Sequence, residues 1–323
     1  MNDEVTLINN KSGGVLMNGG TFTMNGGVIS GNNKINTPFS PGNGGGVLIT
    51  GDGIFMMNDG VITKNTAQIT GGGVFMKESS AFTMNGGVIS GNEASDGGGV
   101  YMDGGEFTLK SDGRISGNIM AGNGGGVYID DGIFTNNGEI SENEATFGGG
   151  VYIDGGTFTM NDTGKISGNN VKLLGGGVFM QGSGAFTMSG GEICNNEAAN
   201  DNGNSKGGGV FMKESSAFMM NGGVISNVNT ADNGGGVYME GGTFTMTGDR
   251  ISGNVAAFNG GGVFMTGNSV FESNGGEISG NTAANGKGGG VFINDGVFAG
   301  PVEGVSGNTA GEADANDIYP SKY

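Results

Sequence analysis

Residues 97–118 read GGGVYMDGGEFTLKSDGRISGN. Three short extended segments, Val100-Tyr101-Met102, Phe107-Thr108-Leu109 and Arg114-Ile115-Ser116, are separated by Gly- and Asp-rich turns. Segments this short do not make helices, and Gly-Gly and Asp-Gly pairs break any helix drawn through them. Val100 and Met102 share one side, as do Phe107 and Leu109, and a period of two belongs to strands.

The same sentence recurs along the 323 residues. Its first valine stands at Val15, Val47, Val74, Val100, Val127, Val151, Val178, Val210, Val237, Val263 and Val291, in steps of 24 to 32 residues. A short step repeated end to end denotes a solenoid, in which one coil cannot bury its own inward face and stacked copies do so together. Stacking sets Val on Val, Met on Met and Phe on Phe, with one column running from Phe22 through Phe107 to Phe298 and another from Ile29 to Val305. The expectation is an all-β, right-handed parallel β-helix of about eleven coils, three short strands per coil, roughly 50 Å long. It forms one continuous repeat domain over 1–310, followed by a polar tail or partial cap over 311–323. The opening Val5–Asn10 reads as the last part of an earlier repeat, so the expected array is truncated at its N-terminal end.

Composition removes several classes of function. Gly contributes 76 residues and Pro 4, which excludes collagen. Lys and Arg total 13 against 31 Asp and Glu, a net charge of −18, so nucleic acid and anionic lipid are not expected partners. There is no His or Trp and a single cysteine, Cys194, which removes a disulfide framework, a Cys/His zinc site and a histidine triad within one chain. Cys194 reads as an incidental, partly exposed thiol. No apolar run is long enough to insert directly into a membrane.

Most of the 18 methionines fall in inward columns, where a flexible side chain absorbs small differences in coil radius. An asparagine follows the third strand in nearly every coil, from Asn32 to Asn308, and reads as a hydrogen-bonded ladder. Val228 interrupts that column, with Asn229 beside it. The two longest steps place inserted loops at about Lys34 to Gly42 and Glu197 to Lys206, both after the third strand. Insertions in a solenoid leave on one edge and often carry binding residues. The glycine runs lack the Lys-Ser/Thr and the helix of a phosphate loop.

These repeats resemble the Gly-Gly-aliphatic and Phe-x-x-Asn repeats of the polymorphic outer-membrane protein and autotransporter-passenger type. The first element stands here as Gly98-Gly99-Val100-Tyr101, and the second as FTMN at Phe22 to Asn25, Phe82 to Asn85 and Phe158 to Asn161. The link GN-x-A before the next glycine run, as at Gly91-Asn92-Glu93-Ala94, is similar too. The resemblance spans about residues 5 to 310 and implies a secreted or surface-displayed passenger acting in adhesion. The membrane barrel that ends such proteins has no counterpart in the last residues.

Two sets of residues carry candidate chemistry. Asp103, Asp130 and Asp154 follow the first strand in successive coils, and carboxylates about 5 Å apart perturb one another or hold calcium. They are the acids to test if the chain is a polysaccharide lyase or glycoside hydrolase, as other parallel β-helices are. The second set is the middle residue of the first triplet: Phe75, Tyr101, Tyr128, Tyr152, Phe179, Phe211, Tyr238, Phe264 and Phe292. Alternation sends these rings outward, as a stripe that stacks sugars or binds protein; a local bulge would instead tuck them under the glycine turn. The reading is a non-enzymatic surface or secreted scaffold that needs no cofactor and binds glycan or extracellular protein. A polysaccharide-active enzyme and a purely structural spacer are the alternatives.

Overall fold

The computed structural model describes every residue except 39–40, 121, 201, 313–315 and 321–323. Parts of both inserted loops and of the tail therefore lie outside the described residues. The chain forms two compact units, Met1–Thr159 and Met160–Tyr323. The fold is a right-handed parallel β-helix with about ten turns in all and several short strands per coil.

In the first unit, strand Val74–Ser90 pairs in parallel with Val100–Ser116, which pairs with Val127–Asn136 and Glu139–Ser141. Val74 lies on Val100 and Val127, Phe82 on Phe107 and Phe134, and Ile89 on Ile115 and Ile140. In the second unit Val178, Val210, Val237, Val263 and Val291 stack in register, as do Phe186, Phe218, Phe244, Phe271 and Phe298. The inward Phe, Ile, Val and Met side chains are almost wholly removed from water. Each contributes on the order of 1.5–3 kcal/mol, and only a neighbouring coil supplies the cover. Ring centroids along Phe82, Phe107 and Phe134 are 4.7 Å apart, the spacing of adjacent strands, so identical register produces the stacking.

The glycine run is a packing requirement. A Cβ on Gly99 would lie 2.5 Å from Gly126 O and 2.9 Å from both Asn118 Nδ2 and Ile115 Cγ2. The column asparagine and isoleucine of the same coil close over this bare backbone, and a third glycine recurs wherever they do.

The asparagines form the expected ladder. Asn92 donates its backbone N–H and its Nδ2 to Asn118 Oδ1, at 3.0 and 3.1 Å, and Asn118 does the same to Asn143 Oδ1 at 3.0 and 2.9 Å. The second hydrogen of each amide meets an isoleucine carbonyl, Ile62 O for Asn92 and Ile89 O for Asn118. In the second unit the ladder runs Asn196, Asn229, Asn254, Asn281, Asn308. Val228 does not break it. Asn227 and Val228 adopt left-handed backbone conformations, φ 53° and 62°, and Val228 is extruded to solvent while Asn229 takes the ladder place.

A fourth short pairing joins the three read from the triplets. Thr230–Ala231, Val255–Ala256, Thr282–Ala283 and Thr309–Ala310 stack in parallel, with Ala231, Ala256 and Ala283 buried. This is the link GN-x-A at work: the asparagine turns the chain and the alanine is small enough to sit over the core. The second unit closes on Ile318–Tyr319, which pairs with Val291–Phe292.

Candidate functional site

The aromatic column exists as a continuous stack within each unit, but it is not an open face. Centroids along Phe75, Tyr101, Tyr128 and Tyr152 are 5.6, 4.7 and 4.7 Å apart. Along Phe179, Phe211, Tyr238, Phe264 and Phe292 they are 5.1, 5.4, 4.6 and 4.9 Å apart. Phe75, Tyr128, Tyr152, Phe179, Phe211, Tyr238 and Phe264 are buried; only Tyr101 and Phe292 are half-exposed. The expectation of an outward, exposed stripe is corrected here. The first glycine of each run packs against the base of the residue four on: at Gly97, φ +64°, a Cβ would lie 2.7 Å from Tyr101 Cβ and 3.0 Å from its Cα. Lys206 Nζ adds cover 4.9 Å from the Tyr238 centroid. A ring with a neighbour on both faces has no face left for a sugar, so the stack offers only its edges.

Burial also governs the phenols. Tyr101 and Tyr128 are pushed well above the ordinary phenol range by desolvation, helped for Tyr101 by the charges of Asp130 and Asp103 and for Tyr128 by Tyr152 and Asp154. Tyr238 is pushed up to about 12 by burial and by Glu240.

The three candidate acids are engaged separately. Asp103 pairs with Lys77 at 3.2 Å. Asp130 accepts from the Tyr101 hydroxyl and Asp154 from the Tyr128 hydroxyl, both at 3.4 Å. The even spacing assumed for them fails between the first two, because a bulge slips the register and Asp131, not Asp130, lies opposite Asp103. Burial and then the charges of Asp103 and Asp154 raise the Asp130 carboxyl above its ordinary value. Among the described residues no group of three or more His, Cys, Asp or Glu is placed to hold a metal ion. Arg114 sits in ion pairs with Glu139 and Glu142 at 3.7 and 3.1 Å. Cys194 is buried rather than partly exposed, in register with the buried Ser226 of the next coil.

The inserted loops have a clearer geometry. The first helps to wall a cleft of about 250 Å³ lined by Pro41, Asn43, Leu48, Thr50, Phe75, Lys77 and Asp103. Leu48 stands where later coils carry a ring, and this smaller side chain leaves room beside Phe75. The second walls a cleft of about 170 Å³ lined by Glu197, Ala198, Ala199, Asn200, Ser205, Thr230, Ala231 and Asp232. Each cleft contains an enclosed asparagine atom without a hydrogen-bond partner, Asn43 Oδ1 in one and Asn200 Nδ2 in the other. A third hollow of about 400 Å³ lies over Gly223, Asp249, Arg250 and Glu277. There burial raises the Asp249 carboxyl to about 6, and its Oδ2 is enclosed without a partner.

Sequence reasoning located the loops but not the residues that matter beside them. Phe258 was missed: it is 41% exposed and takes a link position that most coils fill with a polar or small residue. Comparison of the chain with protein families, with curated proteins and with solved structures finds no match.

Proposed function

We propose that the chain is an interaction scaffold of the cell exterior, secreted or surface-displayed and adhesin-like, that holds glycan or extracellular protein on the loops inserted into its β-helix. The observation that carries this reading is that both insertions wall a cleft, and that each cleft keeps an asparagine amide atom enclosed and unpaired. Buried polar atoms are almost always satisfied, so an unpaired one beside a cleft is a place for a ligand atom. The repeat itself is consumed by architecture: glycines by close approach, asparagines by the ladder, rings by stacking. The exterior location rests on the resemblance of the GGGVF and FTMN repeats to surface passengers. Among the described residues no helix is long and apolar enough to cross a membrane.

The test is binding of the purified chain to a panel of glycans and extracellular proteins, with polysaccharide cleavage assayed on the same glycans. Saturable binding without cleavage supports the scaffold. Cleavage abolished by Asp103→Asn or Asp130→Asn would replace it with the enzymatic alternative, and absence of both activities would leave a spacer.

A further inference from the structure

The cleft in the second unit supports a narrower reading, which rests on the binding role proposed above. Its floor is Ala198 and Ala231, both buried. Asn200 Oδ1 accepts from the backbone N–H groups of Asn202 and Asn204 at 3.0 and 3.2 Å, which fixes the amide and leaves Nδ2 as an enclosed donor with nothing to donate to. Asp232 Oδ2 accepts from the Ser205 N–H at 2.8 Å and from Ser205 Oγ at 2.6 Å. That pair locks the carboxylate and leaves Oδ1 as a positioned acceptor. Glu197 at the rim is exposed.

An aromatic ring stands next to the same loop. Phe258, on the coil next to Asp232, donates its backbone N–H to Asp232 O at 2.8 Å, and the residue is 41% exposed. The loop leans along this face toward it, since a Cβ on Gly203 would lie 3.6 Å from the Phe258 ring. Unlike the stacked column, Phe258 keeps ring surface open to solvent.

A fixed donor, a fixed acceptor and an exposed ring suit a molecule with adjacent hydroxyls on one side and a C–H face on the other. At about 170 Å³ the cleft is smaller than the ~300 Å³ at which pockets for whole drug-sized ligands begin, and it has room for one ring. The carboxylates of Glu197 and Asp232 repel an anionic sugar. We infer that this cleft binds one neutral pyranose unit of a glycan, with vicinal hydroxyls on Asn200 Nδ2 and Asp232 Oδ1 and the sugar's apolar face on Phe258.

The experiment uses the full chain and the methyl glycosides of glucose, galactose, mannose and N-acetylglucosamine, with glucuronate as the anionic counterpart, followed by ligand-observed NMR and calorimetry. Asn200→Asp keeps an acceptor for both loop N–H groups and replaces the Nδ2 donor with a charged acceptor, so its melting temperature is followed beside its binding. Phe258→Ala removes an exposed ring that the core does not need. At least one neutral glycoside binds, glucuronate does not, and each variant weakens binding by about tenfold or more, Phe258→Ala at an unchanged melting temperature and Asn200→Asp at a temperature where it remains folded. No neutral glycoside bound, a preference for glucuronate, or binding untouched by both variants would overturn the inference. If the panel still shows saturable binding in any of those cases, the scaffold reading stands and only this site is lost.

Discussion

Asn308 donates both its backbone N–H and its side-chain Nδ2 to Asp317 Oδ1, each at 3.0 Å. Asn254 and Asn281 each give two hydrogens to the next asparagine, and Asn308 gives its two to an acceptor that has no obligation to donate in turn. A carboxylate meets that need. Asp317 takes the place of the third glycine of a run, its carbonyl accepting from the Val291 N–H at 2.7 Å. Among the described residues no asparagine packs over that position, and the Asp317 side chain there accepts both Asn308 hydrogens. Asp317→Ala should destabilise the chain by about 1–3 kcal/mol, the cost of two unpaired donors, and Asp317→Asn by less. Denaturant midpoints of the two variants measure this; equal, negligible shifts would show that the ladder needs no terminus.

The buried ladder should differ from the exposed one on the second strand. Asn118→Ala removes the acceptor for two donors of Asn92 and the donors to Asn143 Oδ1 and Ile89 O, all buried, and should cost about 3 kcal/mol or more. Asn58 makes comparable side-chain bonds to Asn25 and Asn85, at 2.7 and 2.8 Å, but in solvent. Asn58→Ala should cost less than ~1 kcal/mol, because water replaces what is lost. Equal melting shifts for the two variants would contradict a structural role for burial in the ladder.

Asp249 gives a pH signature. Its folded carboxyl keeps a proton up to about 6, whereas an unfolded aspartate releases it near ~4. Stability is therefore highest below the unfolded value and falls as pH rises toward 6, where the enclosed Oδ2 must carry charge. The rest of the side chain is partly open to solvent, so screening reduces the penalty to ~1 kcal/mol. Asp249→Asn should raise the melting temperature at neutral pH and leave it unchanged at pH 3. A loss at neutral pH would mean that the carboxylate is held by a partner.

The tyrosines should report the buried stack. Near-ultraviolet titration should show Tyr101 and Tyr128 releasing their protons far above the ordinary ~10, and Tyr238 near 12. The folded phenols hold their protons longer than the unfolded ones, so this stability is complete below about pH 10 and is lost above it. Normal titration of all the tyrosines at ordinary alkalinity would mean that the rings are open to water.

The architecture was legible because its signals are packing rules. Period-two triplets give strands, a constant step gives coils, and a glycine run followed by asparagine marks a corner that admits no side chain. The site was less legible because alternation tells on which side of a strand Tyr101 lies, not what covers that side. The cover comes from the rings of the neighbouring coils, Phe75 and Tyr128 stacked on Tyr101 at 5.6 and 4.7 Å. The bulge at Asp130 is invisible in an acid count, since Asp130-Asp131 differs from Asp103-Gly104 by one residue at a turn. The loops were recognisable from the 32-residue steps, but pairing Asn200 with Asp232 and Phe258 requires knowing which coils lie beside each other.

The most direct measurement is panel binding by the intact chain against a variant in which both insertions are shortened to the common step, with melting followed on each. Binding by the intact chain and its loss in a shortened variant of unchanged melting temperature is the expected result. Binding retained in full after both loops are removed would contradict the account, and would move the interaction onto the coils themselves.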